Sequence, residues 1–141
     1  MQKISGERLI LDAWALLALI QGEEPAASRV LKAINDAERK EVSLHMSWIN
    51  LGEVYYEIGK KKGDASAGET LEEILLLPVR FHEIKKQDVL RAAQNKMRFP
   101  LSYADAFAVA LTQSLNGIIL TGDPEILEFD LGVRVEKLER R

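Results

Sequence analysis

The sequence predicts an α/β fold in which a parallel sheet of about five strands is covered by helices on both faces. Short runs rich in Val, Ile and Leu alternate with longer helical stretches along the chain. The first four runs are short enough to be fully buried strands, which is typical of parallel sheets. The alternation favours right-handed crossover connections. Because no repeat, low-complexity tract or linker divides the 141 residues, we expect one domain over residues 1–141.

The same patterns give approximate bounds for each element. The strands are predicted over residues 8–11, 42–45, 79–82, 118–121 and 133–138. The helices are predicted over residues 13–20, 25–39, 48–60, 65–76, 85–97 and 103–115, with one short turn that begins at Pro124. Folds of this class bind ligands beyond the carboxyl ends of their strands, so functional residues are expected at that edge of the sheet.

Composition excludes several classes of protein. The absence of cysteine excludes disulfides, thiolate zinc sites and a cysteine nucleophile, and it favours a reducing, cytoplasmic setting. The longest apolar run, residues 13–20, is shorter than the ~20 residues of a membrane-spanning helix, and it does not follow an export signal. We therefore expect a soluble protein without a membrane partner. The net charge of -3 argues against nucleic-acid binding, because Lys and Arg make the phosphate contacts.

Two aspartates each follow a predicted strand and precede a predicted helix. Asp12 comes directly after the apolar residues 9–11, and Asp123 comes three residues after Leu120. Pro124 suits the first helical position behind Asp123. Both aspartates could simply cap the helices that they precede. Both are also predicted to lie at the carboxyl edge of the sheet.

Two further acids are brought to this edge by the helices that carry them. Asp105 follows Ser102 in a capping-box arrangement, and its helix ends just before the strand at 118–121, so this helix must begin near the carboxyl edge. Glu53 lies within about 9 Å of the start of the helix behind the second strand, at a rise of about 1.5 Å per residue. No cap explains a glutamate in the second turn, so its simplest alternative role is a half-exposed surface residue.

Together these acids predict a metal site made of oxygen ligands. Caps require one acid per helix, yet three strand–helix junctions and one early helix turn deliver carboxylates to the same edge. Two carboxylates 4 Å apart repel each other by about 4 kcal/mol at an effective dielectric constant of ~20, so a cation is expected among them. Without cysteine, and without a histidine beside these acids, Mg²⁺ or Mn²⁺ suits the site better than Zn²⁺.

A metal at this edge would supply hydrolytic chemistry. It would lower the pKa of a coordinated water and stabilise the charge on the leaving oxygen of a phosphodiester. The four acids also account for the overall acidity, because the net charge of -3 becomes +1 when they are left out of the count. The remaining surface need not repel RNA.

The other signals favour structural roles. His45 and His82 each end a predicted strand, and a lone histidine is more often structural than catalytic. The sequence has no dinucleotide-binding, P-loop, zinc-protease or serine-hydrolase motif. An aspartyl phosphatase would need a second Asp two residues after Asp12, where this chain has Trp14. Packing in the core or in a dimer is favoured over stacking on RNA bases for the aromatic residues Trp14, Trp48, Tyr55 and Tyr56.

Four segments together resemble the PIN-domain family, and especially its VapC-like toxins. They are LILD at 9–12, NLGEV at 50–54, LSYADAFAVA at 101–110 and LTGD at 120–123. The resemblance implies a three-layer PIN-like fold in which an acidic quartet binds metal and carries out catalysis. It assigns this quartet to Asp12, Glu53, Asp105 and Asp123. It also makes Thr121 a candidate for orienting metal, water or phosphate.

The resemblance further implies an Mg²⁺- or Mn²⁺-dependent endoribonuclease that hydrolyses RNA, forms a homodimer and is neutralised by a small antitoxin. The chain departs from the family pattern at one point. The family commonly has Ser or Thr shortly after its first Asp, whereas this chain has Ala13 and Trp14. This departure leaves open an alternative function, a non-catalytic PIN-like module that binds RNA or a protein partner.

Overall fold

The computed structural model describes residues 6–141, and this part of the chain forms five strands and seven helices. The strands are β1 (Arg8–Leu11), β2 (Ser43–Ser47), β3 (Val79–His82), β4 (Ile118–Thr121) and β5 (Arg134–Lys137). The helices are α1 (Ala13–Ile20), α2 (Ala26–Glu38), α3 (Trp48–Lys62), α4 (Asp64–Ile74), α5 (Lys86–Arg98), α6 (Tyr103–Leu115) and α7 (Pro124–Leu127). Within residues 6–141, no helix is both long enough and apolar enough to cross a membrane.

The strands form one parallel sheet, as the sequence predicts. Their order is β3-β2-β1-β4-β5, and every neighbouring pair is parallel. From β1 the chain steps outward through β2 and β3 on one side, and it returns to the other side of β1 to form β4 and β5. The strand order therefore reverses beside β1. In open parallel sheets this reversal creates a crevice at the carboxyl ends of the two strands that flank it.

Helices cover both faces of the sheet, which confirms the predicted three layers. Successive side chains of a strand point to opposite faces. Ile10 and Ile119 therefore pack with the buried side of α6. Leu9 and Leu11, from the same strand as Ile10, pack on the opposite face among apolar residues of α1 and α2. A third cluster joins α3 and α4 to Met46 of β2.

The prediction for the second strand was wrong at its carboxyl end. β2 continues two residues beyond the predicted range of 42–45, so His45 lies inside the strand and does not end it. Ser47 ends β2 and caps α3, because its hydroxyl accepts a hydrogen bond from the Ile49 amide at 3.0 Å. The other bounds differ from the predicted ones by two residues or fewer.

The expectation that β3 is fully buried was also wrong. β3 forms one edge of the sheet, with β2 as its only neighbour among the described residues. Its residues are half-buried, and Arg80 is exposed. A short apolar run does not by itself distinguish a central strand from an edge strand, because the difference lies in the pairing.

Gly117 sets the close approach of β1 and β4. A Cβ atom at Gly117 would lie 2.6 Å from the carbonyl oxygen of Arg8 and would collide with Ile10. We expect Gly117→Ala to lower the free energy of unfolding by about 1–3 kcal/mol, because overpacking forces the two strands apart. Urea unfolding followed by circular dichroism measures this change.

Gly68, in the middle of α4, provides the matched control. No atom lies within 4 Å of the position that its Cβ would take. Gly68→Ala should therefore stabilise the protein by about 0.5–1 kcal/mol, since alanine favours the helix. Equal stability of the two variants would contradict the proposed constraint at Gly117.

Candidate active site

Asp12 is buried at the junction between β1 and α1. Its backbone is extended, and its Oδ1 accepts a hydrogen bond from the Ala15 amide at 2.9 Å, which caps α1. Its Oδ2 accepts a hydrogen bond from the hydroxyl of Thr121. Only 1% of the residue is exposed. The capping role that the sequence offered for Asp12 is therefore real, and it leaves further lone pairs on both oxygens.

Thr121 connects this junction to the next one. It is the last residue of β4 and is completely buried. Its hydroxyl donates to Asp12 and accepts a hydrogen bond from the Asp123 amide at 2.9 Å. One hydroxyl thus fixes the position of Asp12 relative to the backbone that carries Asp123.

Asp123 is also both a helix cap and a member of the acidic edge. Its Oδ1 accepts a hydrogen bond from the Glu125 amide at 2.9 Å, and Pro124 occupies the first position of α7, as predicted. The residue is half-buried. Its carboxylate is the least enclosed of the three aspartates at this edge.

Asp105 does not have the capping role that the sequence suggested. Ser102 caps α6, since its hydroxyl accepts a hydrogen bond from the Asp105 amide at 3.2 Å. In a capping box the Asp105 carboxylate would bind the Ser102 amide in return. That amide instead donates to Oε1 of Glu125 at 3.0 Å. The Asp105 carboxylate is therefore available to the site.

Three of the four predicted acids converge closely. Asp12, Asp105 and Asp123 each contribute one carboxylate oxygen to a group whose members all lie within 4.8 Å of one another. Glu53 is half-buried beside this group, in the second turn of α3, but it is not a member of the group. We call these three aspartates the aspartate cluster.

The electrostatics of the cluster agree with close, poorly solvated carboxylates. Burial raises the pKa of Asp12 to about 7, although the hydrogen bond from Thr121 favours the charged form. The nearby charge of Glu53 is one of the smaller influences that raise this pKa further. Burial is also the main reason for the raised pKa of Glu53, followed by the charge of Asp123.

The carboxyl groups of Asp105 and Glu125 interact at the rim of the cluster. Burial raises the pKa of Asp105, and its contacts with Glu125 and Asp123 raise it further. The same contact with Asp105 lowers the pKa of Glu125. The raised pKa of Asp105 favours its protonated form in the absence of a cation, and the lowered pKa of Glu125 favours its charged form.

The donor set of the aspartate cluster suits a hard divalent cation. All of its donors are carboxylate oxygens, and the cluster contains no nitrogen or sulfur ligand. Such donors favour Mg²⁺, Mn²⁺ or Ca²⁺ over Zn²⁺. A cation would also offset the burial and the mutual repulsion that raise the carboxyl pKa values.

Two residues near the cluster were missed by the sequence analysis. Glu125 follows Asp123 by two residues, and its contact with Ser102 spans 23 positions, so sequence spacing gave no sign of it. Asn50, one turn before Glu53, is buried and donates to the carbonyl of Ala104 at 3.1 Å. Its Oδ1 is buried and finds no donor within residues 6–141. The segment NLGEV could have indicated Asn50, because a buried asparagine needs polar partners.

The histidines do not join the cluster. Nδ1 of His45 lies 2.8 Å from Nε2 of His82, and its Nε2 lies 2.8 Å from the hydroxyl of Ser43. Burial lowers the pKa of His45 to about 4, so the ring is neutral at physiological pH. This pair is part of the β2–β3 surface, in keeping with the structural role favoured by the sequence.

Trp14, the residue at which the chain departs from the PIN pattern, packs beside the cluster. Its indole lies against Gly122, where a Cβ atom would collide with the six-membered ring. Gly122 separates Thr121 from Asp123 in the chain. The guanidinium of Arg140 lies 5.0 Å from the centroid of the indole. The indole of Trp14 fits at this position because residue 122 is a glycine.

Asp12→Asn should stabilise the metal-free protein at neutral and alkaline pH. A folded-state pKa raised from 3.8 to about 7 means that the folded protein binds the extra proton, so its stability falls as the pH rises through this range. Asparagine keeps the cap but carries no charge. The variant should therefore match the parent near pH 4 and exceed it by an amount on the order of a few kcal/mol at pH 8.

Urea unfolding in EDTA at several pH values measures this difference. Asp36 provides the control, because it is also a buried aspartate but pairs with Lys32 at 2.8 Å and with Arg39, and its pKa is lowered. Asp36→Asn should lower stability at pH 8. A variant of Asp12 that is less stable than the parent at pH 8 would contradict the inference that its charge is destabilising.

Gly122→Ala should destabilise the protein only while Trp14 is present. The added methyl group meets a rigid ring, and we expect a loss of about 1–3 kcal/mol. In the double variant with Trp14→Ala this collision disappears, so the two changes should be non-additive by about 0.5–3 kcal/mol. A double-mutant cycle from urea unfolding measures the coupling, and additive effects would show that the two residues act independently.

Comparison with known proteins supports the same fold. The PIN domain family profile matches residues 9–131. None of the curated proteins matches the sequence. The structure of VapBC2 from Rickettsia felis, bound to a DNA fragment from its promoter, is similar with a TM-score of 0.73 and 12% identity, and the match covers 94% of this chain and 99% of that chain.

Two other solved structures illustrate the range of the similarity. DNA-bound VapBC from Salmonella typhimurium has a TM-score of 0.71 and 16% identity, over 93% of this chain and 98% of that chain. VapC20 from Mycobacterium tuberculosis, described as a Sarcin-Ricin loop cleaving toxin, has a TM-score of 0.69 and 17% identity. The match covers 85% of this chain and 93% of that chain. Identities this low show a shared fold. Since the family profile spans most of the sequence, the chain belongs to the PIN domain family.

Proposed function

We propose that this protein is an Mg²⁺- or Mn²⁺-dependent endoribonuclease and acts as the toxin of a toxin–antitoxin pair. The observation that carries the proposal is the aspartate cluster, whose carboxylate oxygens lie within 4.8 Å of one another at the reversal of the strand order. The membership of this chain in the PIN domain family is a second support. A third is its structural similarity to VapC20, which is described as cleaving the Sarcin-Ricin loop.

Each acid has a defined role in the proposed reaction. Asp12, Asp105 and Asp123 hold the cation, and Thr121 keeps Asp12 in place through its hydroxyl. Glu53, at the side of the cluster, binds the cation or orients the attacking water. The cation supplies a water of lowered pKa and stabilises the charge on the leaving oxygen.

Glu125 positions Asp105. Its carboxylate holds the first turn of α6 through the Ser102 amide and contacts Asp105 at the same time. With a cation held by Asp105, Glu125 would remain beside this side chain and would limit its rotation. Glu125 is therefore a positioning residue in the proposed site.

The proposed partners are an antitoxin and a second copy of the chain. Solved relatives include VapBC complexes, which supports the antitoxin. Exposed apolar side chains on α3 and α5 are suited to such contacts. Their exposed fractions are 41% for Trp48, 55% for Tyr56, 65% for Leu90 and 78% for Met97. These exposures contradict the prediction of core packing for Trp48 and Tyr56, and they leave dimer packing as the proposed role.

Asp12→Asn and Asp105→Asn should abolish saturable Mn²⁺ binding and RNA cleavage together. Each variant removes a charge and a ligand oxygen from the aspartate cluster. Calorimetric titration of the metal-free proteins measures binding, and a gel assay on the same samples measures cleavage. Asp36→Asn removes a buried aspartate elsewhere and should retain both activities.

Glu125→Gln should weaken Mn²⁺ binding by about 10–100-fold, as expected for a residue that supports a ligand.

The chemistry of the RNA ends provides an independent check. If water is the nucleophile, the products carry a 5′-phosphate and a 3′-hydroxyl. Ends with a 2′,3′-cyclic phosphate would show that the ribose 2′-hydroxyl attacks, and they would overturn this mechanism. A folded parent protein that binds no Mn²⁺ would instead favour the non-catalytic module for which the Ala13–Trp14 departure leaves room.

A further inference from the structure

A pocket of about 350 Å³ opens directly beside the aspartate cluster. Trp14 and Leu138 contribute to its apolar wall, and Gly122 and Pro124, on either side of Asp123 in the chain, form its border with the cluster. We call it the Trp14 pocket. The volume is near the lower end of the range for small-ligand sites, so it has room for about one nucleotide.

Two cationic side chains, Lys137 and Arg140, line the Trp14 pocket together with one carboxylate, Glu139. Lys137 is the last residue of β5 and pairs in register with Thr121, which brings its ammonium group to the carboxyl edge. Arg140 lies over the indole of Trp14, and that contact limits the directions in which its guanidinium can point. Both side chains remain accessible, with exposed fractions of 64% for Lys137 and 49% for Arg140.

The carboxylates that pair with these cations bind them weakly. Lys137 lies 3.6 Å from Glu139, and Arg140 lies 3.0 Å from Glu23. Ion pairs exposed to this degree are weak, because water screens the charges. A phosphate group can therefore replace either carboxylate at small cost.

Two other pockets with cationic lining residues lie at the opposite end of the sheet, and a third, lined by Lys61 and Lys62, lies between α1, α3 and α4. The larger of the first two, lined by Lys40 and Arg80, lies at the amino ends of β2 and β3. Another lies beside Arg134, at the amino end of β5. Gly122 and Pro124, which line the Trp14 pocket, flank Asp123 in the chain, so a ligand that extends from the aspartate cluster past Asp123 enters this pocket.

We propose that the Trp14 pocket is a subsite for the RNA nucleotide next to the scissile bond, whose phosphate is bound by Lys137 and Arg140. The proposal rests on the proposed ribonuclease function and extends it by naming where the substrate strand leaves the aspartate cluster. An acidic segment of a protein partner could also meet two cations, but the shared border with the cluster favours RNA.

The test measures RNA binding without cleavage. A fluorescently labelled single-stranded RNA of mixed sequence is titrated with the Asp12→Asn protein in EDTA, at several salt concentrations, by fluorescence anisotropy. Lys137→Ala and Arg140→Ala, added to this background, should each weaken binding about fivefold at 0.1 M salt. Each should also reduce the slope of log Kd against log salt by about 0.7, the value of one phosphate contact on a single strand.

Arg134→Ala is the matched control. Arg134 lies at the other end of β5, has a side-chain exposure of 55% and pairs with Glu7 at 3.4 Å. This variant should leave both the affinity and the salt slope unchanged, and Arg140→Lys should retain most of the slope.

The outcomes separate the subsite from the wider function. If the Asp12→Asn parent binds RNA, and Lys137→Ala and Arg140→Ala bind it equally well with the same salt slope, the subsite is overturned while the ribonuclease proposal stands. If the parent binds no RNA at any salt concentration, the subsite is overturned, and the ribonuclease proposal is decided by the Mn²⁺ titration and the cleavage assay on the unsubstituted protein. A loss of affinity in Arg134→Ala as large as in Arg140→Ala would show general charge attraction and would also overturn the subsite.

Discussion

The burial of Asp12 at the carboxyl end of the central strand β1 is the constraint on which the site depends. A carboxyl group taken out of water is costly unless its oxygens are hydrogen-bonded. Here the Ala15 amide and the Thr121 hydroxyl supply those bonds. The second bond requires β4 to lie next to β1, in parallel and with Leu11 opposite Leu120. The Thr121 hydroxyl also accepts a hydrogen bond from the Asp123 amide. The Thr121–Asp12 contact therefore depends on the register of β1 and β4, and the same side chain positions both Asp12 and Asp123.

The convergence of the aspartates could be predicted from the sequence because it follows from local rules. Asp12 and Asp123 each come just after an apolar run, and a parallel sheet brings the ends of such runs to one edge. The position of Asp105 follows from the direction of α6 alone. This helix must finish at the amino end of β4, so it starts, with Asp105, at the carboxyl edge. None of these steps needs knowledge of side-chain contacts.

The features that the sequence could not predict depend on contacts between distant elements. Whether Asp105 or Glu125 binds the Ser102 amide is a competition between two acceptors, and sequence spacing favoured the wrong one. The complementarity of Trp14 and Gly122 depends on how α1 packs against the end of β4. The outer position of Glu53 depends on the angle of α3, which no residue pattern specifies. These details decide the charge and rigidity of the site, whereas the local rules decide only which edge it occupies.

The capping and functional interpretations of the acids are compatible. A carboxylate has two oxygens and about four lone pairs, so a cap uses only part of its capacity. Asp12 and Asp123 each cap a helix and also contribute an oxygen to the aspartate cluster. The caps fix the rotation of both side chains before any cation binds, which reduces the ordering cost of binding. Asp105 has no cap to hold it, and its contact with Glu125 serves that purpose instead. The secondary structure therefore preorganises the cluster, and burial together with mutual repulsion makes its charged carboxylates unfavourable in the absence of a cation.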